Sequence, residues 1–109
     1  MSAALRKIRA AVAKRAAGAC EACGQWVGLN GEDGHLDHAR GRGRAESVES
    51  CWLLCLSCDL FKTNNRPNAA HWLARFARHC DNHGYSEEAR IARGRLAFVE
   101  TRSGLGEAL

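Results

Sequence analysis

Two Cys-x2-Cys pairs constrain this chain more than any other feature. Cys20 stands with Cys23 and Cys55 with Cys58, and residues 24–54 lie between the pairs. A turn of that spacing sets two sulfurs on one side, at the separation of two tetrahedral ligands. Two such turns make a closed four-thiolate site, for which zinc is the expected ion. A closed site has no open position, so its role is structural. At 109 residues the chain is read as one domain with a modest core, to which a structural metal adds much stability. The stretch between the pairs is longer than a simple zinc ribbon needs and has room for a hairpin and a functional loop. Neither pair stands between a strand and a helix in a βαβ context, which argues against a redox role. Cys51 and Cys80 are left over and read as buried core thiols.

Six cysteines would also suit a disulfide framework in a secreted protein. The N-terminus argues otherwise, being basic and alanine-rich without the apolar region of a secretory signal. No run approaches the roughly 18 apolar residues of a membrane span. A cytoplasmic setting is therefore expected, with thiolate–metal chemistry rather than disulfides. The formal net charge of +4 suits an anionic partner, although the placement of the charge tells more than its sum.

Residues 2–17 read as a helix that Ser2 caps and Gly18 ends. Leu5, Ile8 and Val12 form its narrow apolar stripe, and Arg6, Lys7, Arg9, Lys14 and Arg15 cover the remaining surface. Such a surface either faces water or faces phosphate. Residues 19–38 hold the first cysteine pair and an expected hairpin: a short segment Gln25–Leu29, turn chemistry over 30–34, and a strand His35–His38. Residues 39–50 form a polar loop in which Arg40, Arg42 and Arg44 alternate with glycine. Glycine permits close approach of the backbone, and arginine suits bidentate phosphate contacts. Cys51–Cys55 reads as a buried second strand. A helix from Ser57 to Asn65 follows, stopped by Pro67. Asn68 caps a third helix over 69–83, whose apolar face is Trp72, Leu73, Phe76, Ala77 and Cys80. Ser86 caps a fourth over about 87–103, with Ala89, Ala92, Leu96 and Val99 inside, arginines outside, and Gly104 closing it. The fold class is α+β: a small zinc-stabilised core of short hairpin plus helix, over about 18–66, flanked by one helix before it and two after.

The core carries what metal-assisted phosphodiester cleavage requires. A hard cation takes oxygen ligands, and Asp37 and Asp59 are carboxylates near the zinc-held framework. A cation between them would bind a phosphate oxygen and the leaving oxygen. His38 can accept a proton from the attacking water, because its ordinary pKa lies near neutrality. Lys62, one helical turn beyond Asp59, can hold a phosphate, and Arg66 adds charge beyond it. His35 shares a face with Asp37 in an ideal strand and is a further candidate. Each residue also has a plainer use: Asp37 and His38 as loop hydrogen-bonders, Asp59 with Lys62 as a surface ion pair.

At these residues the sequence resembles the HNH, or ββα-metal, endonuclease family of the zinc-containing type. The resemblance covers about residues 18–66: Cys20 and Cys23, Asp37-His38, the apolar Trp52-Leu53-Leu54, Cys55 and Cys58, then Asp59 and Lys62. It implies that Asp37 and Asp59 hold a catalytic divalent cation and that His38 is the general base. The cation would be Mg²⁺ or Mn²⁺, with Ni²⁺ or Zn²⁺ as other choices. Two positions depart from the pattern. Ser50 stands roughly where the family has its middle Asn, and Asp59 stands in place of the final His. Asp is a sound ligand for a hard cation.

The function expected is a metal-dependent DNA endonuclease or nickase, from a bacterial or phage setting by resemblance alone. The rival is a zinc-stabilised DNA-binding module whose HNH site has decayed. One ββα site cuts one strand, so double-strand cleavage would need a dimer or two visits. No membrane partner is expected, and the fold alone does not fix the substrate sequence.

Overall fold

The computed structural model describes residues 2–39, 46–64 and 69–108, side chains after residue 100 and that of residue 64 apart. Along the chain stand α1 (Ala3–Ala16), β1 (His35–His38), β2 (Cys51–Leu54), α2 (Leu56–Asn64), α3 (Ala69–Asn82) and α4 (Ser86–Ala108). The architecture is α+β, with four helices and one two-stranded antiparallel sheet among the described residues. Contacts divide the chain into two units, Met1–Phe61 and Lys62–Leu109.

In the first unit, Ser2 caps α1 as its residue type predicts, its hydroxyl accepting from the Leu5 N–H at 3.1 Å. The helix ends in a left-handed residue at Ala17, one position before Gly18. Val12, Ala13 and Ala16 are buried, and α1 packs on β2. The hairpin differs from the expected one. β1 pairs with β2 across the arginine loop, with His35 opposite Leu54 and His38 opposite Cys51. The segment around Trp26 folds back to a single bridge with Ala19. The physical reason is burial. All four residues of β2 are buried, and a strand that apolar is the partner that removes most surface from water.

Glycine matters where the turn meets this core. A Cβ on Gly34 would stand 2.7–2.9 Å from the Leu53 side chain, so only glycine lets the 30–34 turn lie on β2. Two arginines taken as surface charge do structural work here. The Arg9 guanidinium donates to the Gly31 and Gly34 carbonyls, at 3.0 and 3.2 Å. Arg15, with its side chain only 10 % exposed, is paired with the 4 % exposed Glu21.

The second unit is built on α3 and α4. Trp72, Phe76, Ala77 and Cys80 of α3 are buried, as are Ala89 and Ala92 of α4, and the two helices pack together. Gly104 does not close α4, which continues to Ala108; one glycine costs a helix only about 1 kcal/mol relative to alanine. The capping role assigned to Asn68 and the stop assigned to Pro67 lie outside the described residues. No described helix is long and apolar enough to cross a membrane.

Candidate functional site

The two cysteine pairs come together. The four sulfurs of Cys20, Cys23, Cys55 and Cys58 lie within 4.8 Å of one another, with Cys23 Sγ and Cys55 Sγ 3.7 Å apart. Tetrahedral thiolates about 2.3 Å from zinc stand roughly 3.8 Å from each other, so the set fits a structural metal ion such as zinc. Both pairs sit on tight turns. The Gly24 N–H donates to the Cys20 carbonyl at 2.8 Å and the Asp59 N–H to the Cys55 carbonyl at 2.9 Å. Gly24 has φ +83°, a left-handed conformation that glycine adopts without strain. None of the six cysteines is in a disulfide.

The thiols do not ionise alike. Burial pushes Cys20 up, but backbone hydrogen bonds at Cys55, Cys23 and Ala22 outweigh it and bring the thiol down to about 7. Burial pushes Cys23 up. Burial, then the neighbouring sulfurs of Cys23 and Cys55, push Cys58 far above the ordinary thiol range. Four thiolates at this distance repel one another, and a cation relieves that repulsion. Cys51 and Cys80 are fully buried core thiols, as expected.

Arg15 and Glu21 brace this centre. Arg15 Nε and Nη2 donate to the two Glu21 carboxylate oxygens at 2.8 and 2.7 Å. The same guanidinium donates to the Val48 and Cys51 carbonyls. Glu21, inside the first cysteine pair, also accepts from the Leu53 N–H at 3.0 Å. One ion pair thus joins α1, the first cysteine turn, the end of the loop and β2.

A cavity of about 670 Å³ opens on other candidate residues, lined by Leu5, Arg9, Gly34, His35, Leu36, His38, Glu46 and Asp59. β1 contributes His35, Leu36 and His38 to the lining. Asp59 follows the last cysteine directly and lies in the first turn of α2. Its Oδ2 stands 3.9 Å from His35 Nδ1, too long for a direct hydrogen bond and suited to an intervening water or ion. His38 Nε2 lies 2.7 Å from Glu46 Oε2.

Comparison with protein-family models, curated proteins and solved structures gives no match.

Of the residues singled out in the sequence, the structure brings His38, Asp59 and His35 to one cavity. Asp37 is half-buried and is held differently: its Oδ2 accepts from the Trp52 indole N–H at 2.8 Å, across the strand pair, and it is not among the residues lining the cavity. Ser50 is buried in a network with Ser47. The Ser47 N–H donates to its hydroxyl at 3.0 Å and the Ser50 N–H donates to the Ser47 hydroxyl at 3.1 Å. Lys62 belongs to the second unit and is absent from the cavity lining. Arg40, Arg42, Arg44 and Arg66 lie outside the described residues. Sequence reasoning missed Glu46, Glu21 and Trp52. The Trp52 and Glu46 contacts follow from the pairing of β1 with β2, and those of Glu21 from the packing of α1 and the first cysteine turn on β2; no local spacing reveals them.

Proposed function

We propose that this chain is a metal-dependent DNA endonuclease or nickase of the HNH kind, held together by structural zinc. One observation carries the reading: the Asp59 carboxylate, directly after the last cysteine, shares a cavity with His35 and His38 of β1. The order of hairpin, cysteine turn and helix around that cavity supports it further. In this reading Asp59, with His35 beside it, would hold a divalent cation, and Asp37, outside the cavity and engaged by the Trp52 indole, would turn toward it to serve as the second carboxylate. Such a cation supplies charge stabilisation for a phosphate and its leaving oxygen. His38 accepts the proton of the attacking water while the new P–O bond forms and the P–O bond of the leaving group breaks. Arg40, Arg42, Arg44, Lys62 and Arg66 supply positive charge for the DNA backbone.

A second reading rests on Asp37. Its engagement with the Trp52 indole favours a zinc-stabilised DNA-binding module without catalysis. The two readings separate on supercoiled plasmid with Mg²⁺, Mn²⁺ or Ni²⁺. The nuclease reading expects nicking by the zinc-loaded protein. His38→Ala should reduce the rate by about 10²- to 10⁴-fold, and Asp59→Ala should abolish metal-dependent cleavage, both with the fold retained. Salt-dependent DNA binding without cleavage in any of the three metals would establish the binding module instead. Cleavage that survives both substitutions would overturn the assignment of residues.

A further inference from the structure

We propose that Glu46 is the positioning residue of His38, an inference that rests on the nuclease reading above. A carboxylate only accepts hydrogen bonds, so the 2.7 Å contact assigns the proton to the His38 ring atom that it meets, Nε2. The lone pair of the neutral ring then sits on Nδ1. That is the atom left to take a proton from water. The contact is sheltered: the His38 side chain is 10 % exposed and that of Glu46 31 %. Both residues line the cavity that Asp59 and His35 share.

The fold explains how a residue eight positions away comes to hold the ring. His38 pairs with Cys51 in the sheet, and the Ala39 N–H donates to the Ser50 carbonyl at 3.0 Å. The loop is thereby closed at its base, and Ser47 and Ser50 lock the returning limb through their hydroxyls. Glu46 is the residue before that locked turn. Its carboxylate fixes the orientation of the ring and the nitrogen that donates. The other charged or titratable groups lining the cavity are Arg9, His35 and Asp59.

The experiment uses the zinc-loaded full chain as wild type, Glu46→Ala and Glu46→Gln, with His38→Ala as control. Imidazole ¹⁵N–¹H correlation spectra report the tautomer, and plasmid nicking with Mg²⁺ or Mn²⁺ reports the rate. The wild-type spectrum should show His38 with its proton on Nε2. Glu46→Ala should lose that preference, and its kcat should fall about tenfold to hundredfold with KM almost unchanged. Glu46→Gln, which keeps an accepting oxygen, should recover part of both. All variants should unfold at the wild-type temperature. A wild-type ring protonated on Nδ1, or a Glu46→Ala protein that cuts at the wild-type rate, would overturn the proposal. If the tautomer is as expected and the wild type cuts nothing, the nuclease reading fails and the positioning role goes with it, while the hydrogen bond stands.

Discussion

Arg15 shows how far a residue's work can lie from its composition class. In the sequence it is one of five basic residues on an alanine-rich helix, with no acid nearby in that helix. In the structure its guanidinium donates to both Glu21 oxygens and to two backbone carbonyls, in near-complete shelter from water. Breaking one side of such a pair leaves the other charge buried and uncompensated, which costs about 3–5 kcal/mol. Arg15→Ala and Glu21→Ala should each lower the unfolding free energy of the metal-loaded protein, read from urea titration, by that order. The double variant should cost clearly less than the sum, because the second removal takes away the stranded charge. An Arg15→Ala protein of wild-type stability would show that the pair is dispensable. The exposed pair Arg93–Asp81 is the contrast. Its hydrogen bond to Arg93 holds the Asp81 carboxyl below its ordinary value, so its small contribution is present above the ordinary carboxylate pKa and is lost as pH falls through the lowered one.

At the level of elements, the hairpin decides the site. Pairing β1 with β2 makes the two ends of the arginine loop neighbours, aligns Asp37 with Trp52, and brings Glu46 to His38. The 30–34 turn that precedes β1 must lie directly on Leu53. Gly34→Ala would push a methyl group into that side chain and should destabilise the metal-loaded protein by about 1–3 kcal/mol, the usual cost of overfilling a packed site. Thermal unfolding measures it. Leu53→Ala in the same background should recover part of the loss relative to its effect in the wild type, since it vacates the space the methyl needs.

For the whole molecule, all four cysteines of the candidate metal site belong to the first unit, and α3 and α4 carry their own buried residues in the second. A strong chelator should therefore act locally. Hydrogen exchange after chelation should accelerate at the amides of β1, β2 and the first turn of α2 while α3 and α4 keep their protection. Equal loss throughout would mean that the two units unfold together. The same centre sets a pH dependence. Cys23 and Cys58 hold their protons above the ordinary thiol range when no metal is bound, and the ligand is the thiolate. Metal binding must release those protons, so affinity should fall as pH is lowered, roughly tenfold per released proton for each pH unit. A competition titration with a chromophoric chelator at several pH values measures the slope.

The sequence by itself determined the local things. The spacing of the cysteines specified two turns whose four sulfurs come together. Ser2 fixed the start of α1, the apolar run at Cys51–Cys55 specified a buried strand, observed over Cys51–Leu54, and the placement of Asp59 after Cys58 put a carboxylate at the head of α2. These follow from short-range geometry, in which the residue type and its offset carry the information. Tertiary structure alone decided which strand β1 joins, that Trp52 takes the Asp37 carboxylate, that Arg15 is buried against Glu21, and that Glu46 rather than a nearer residue holds His38. Those outcomes depend on register and on competition for burial between distant segments. A hydrogen bond across a loop closed by a sheet leaves no periodic trace in the chain.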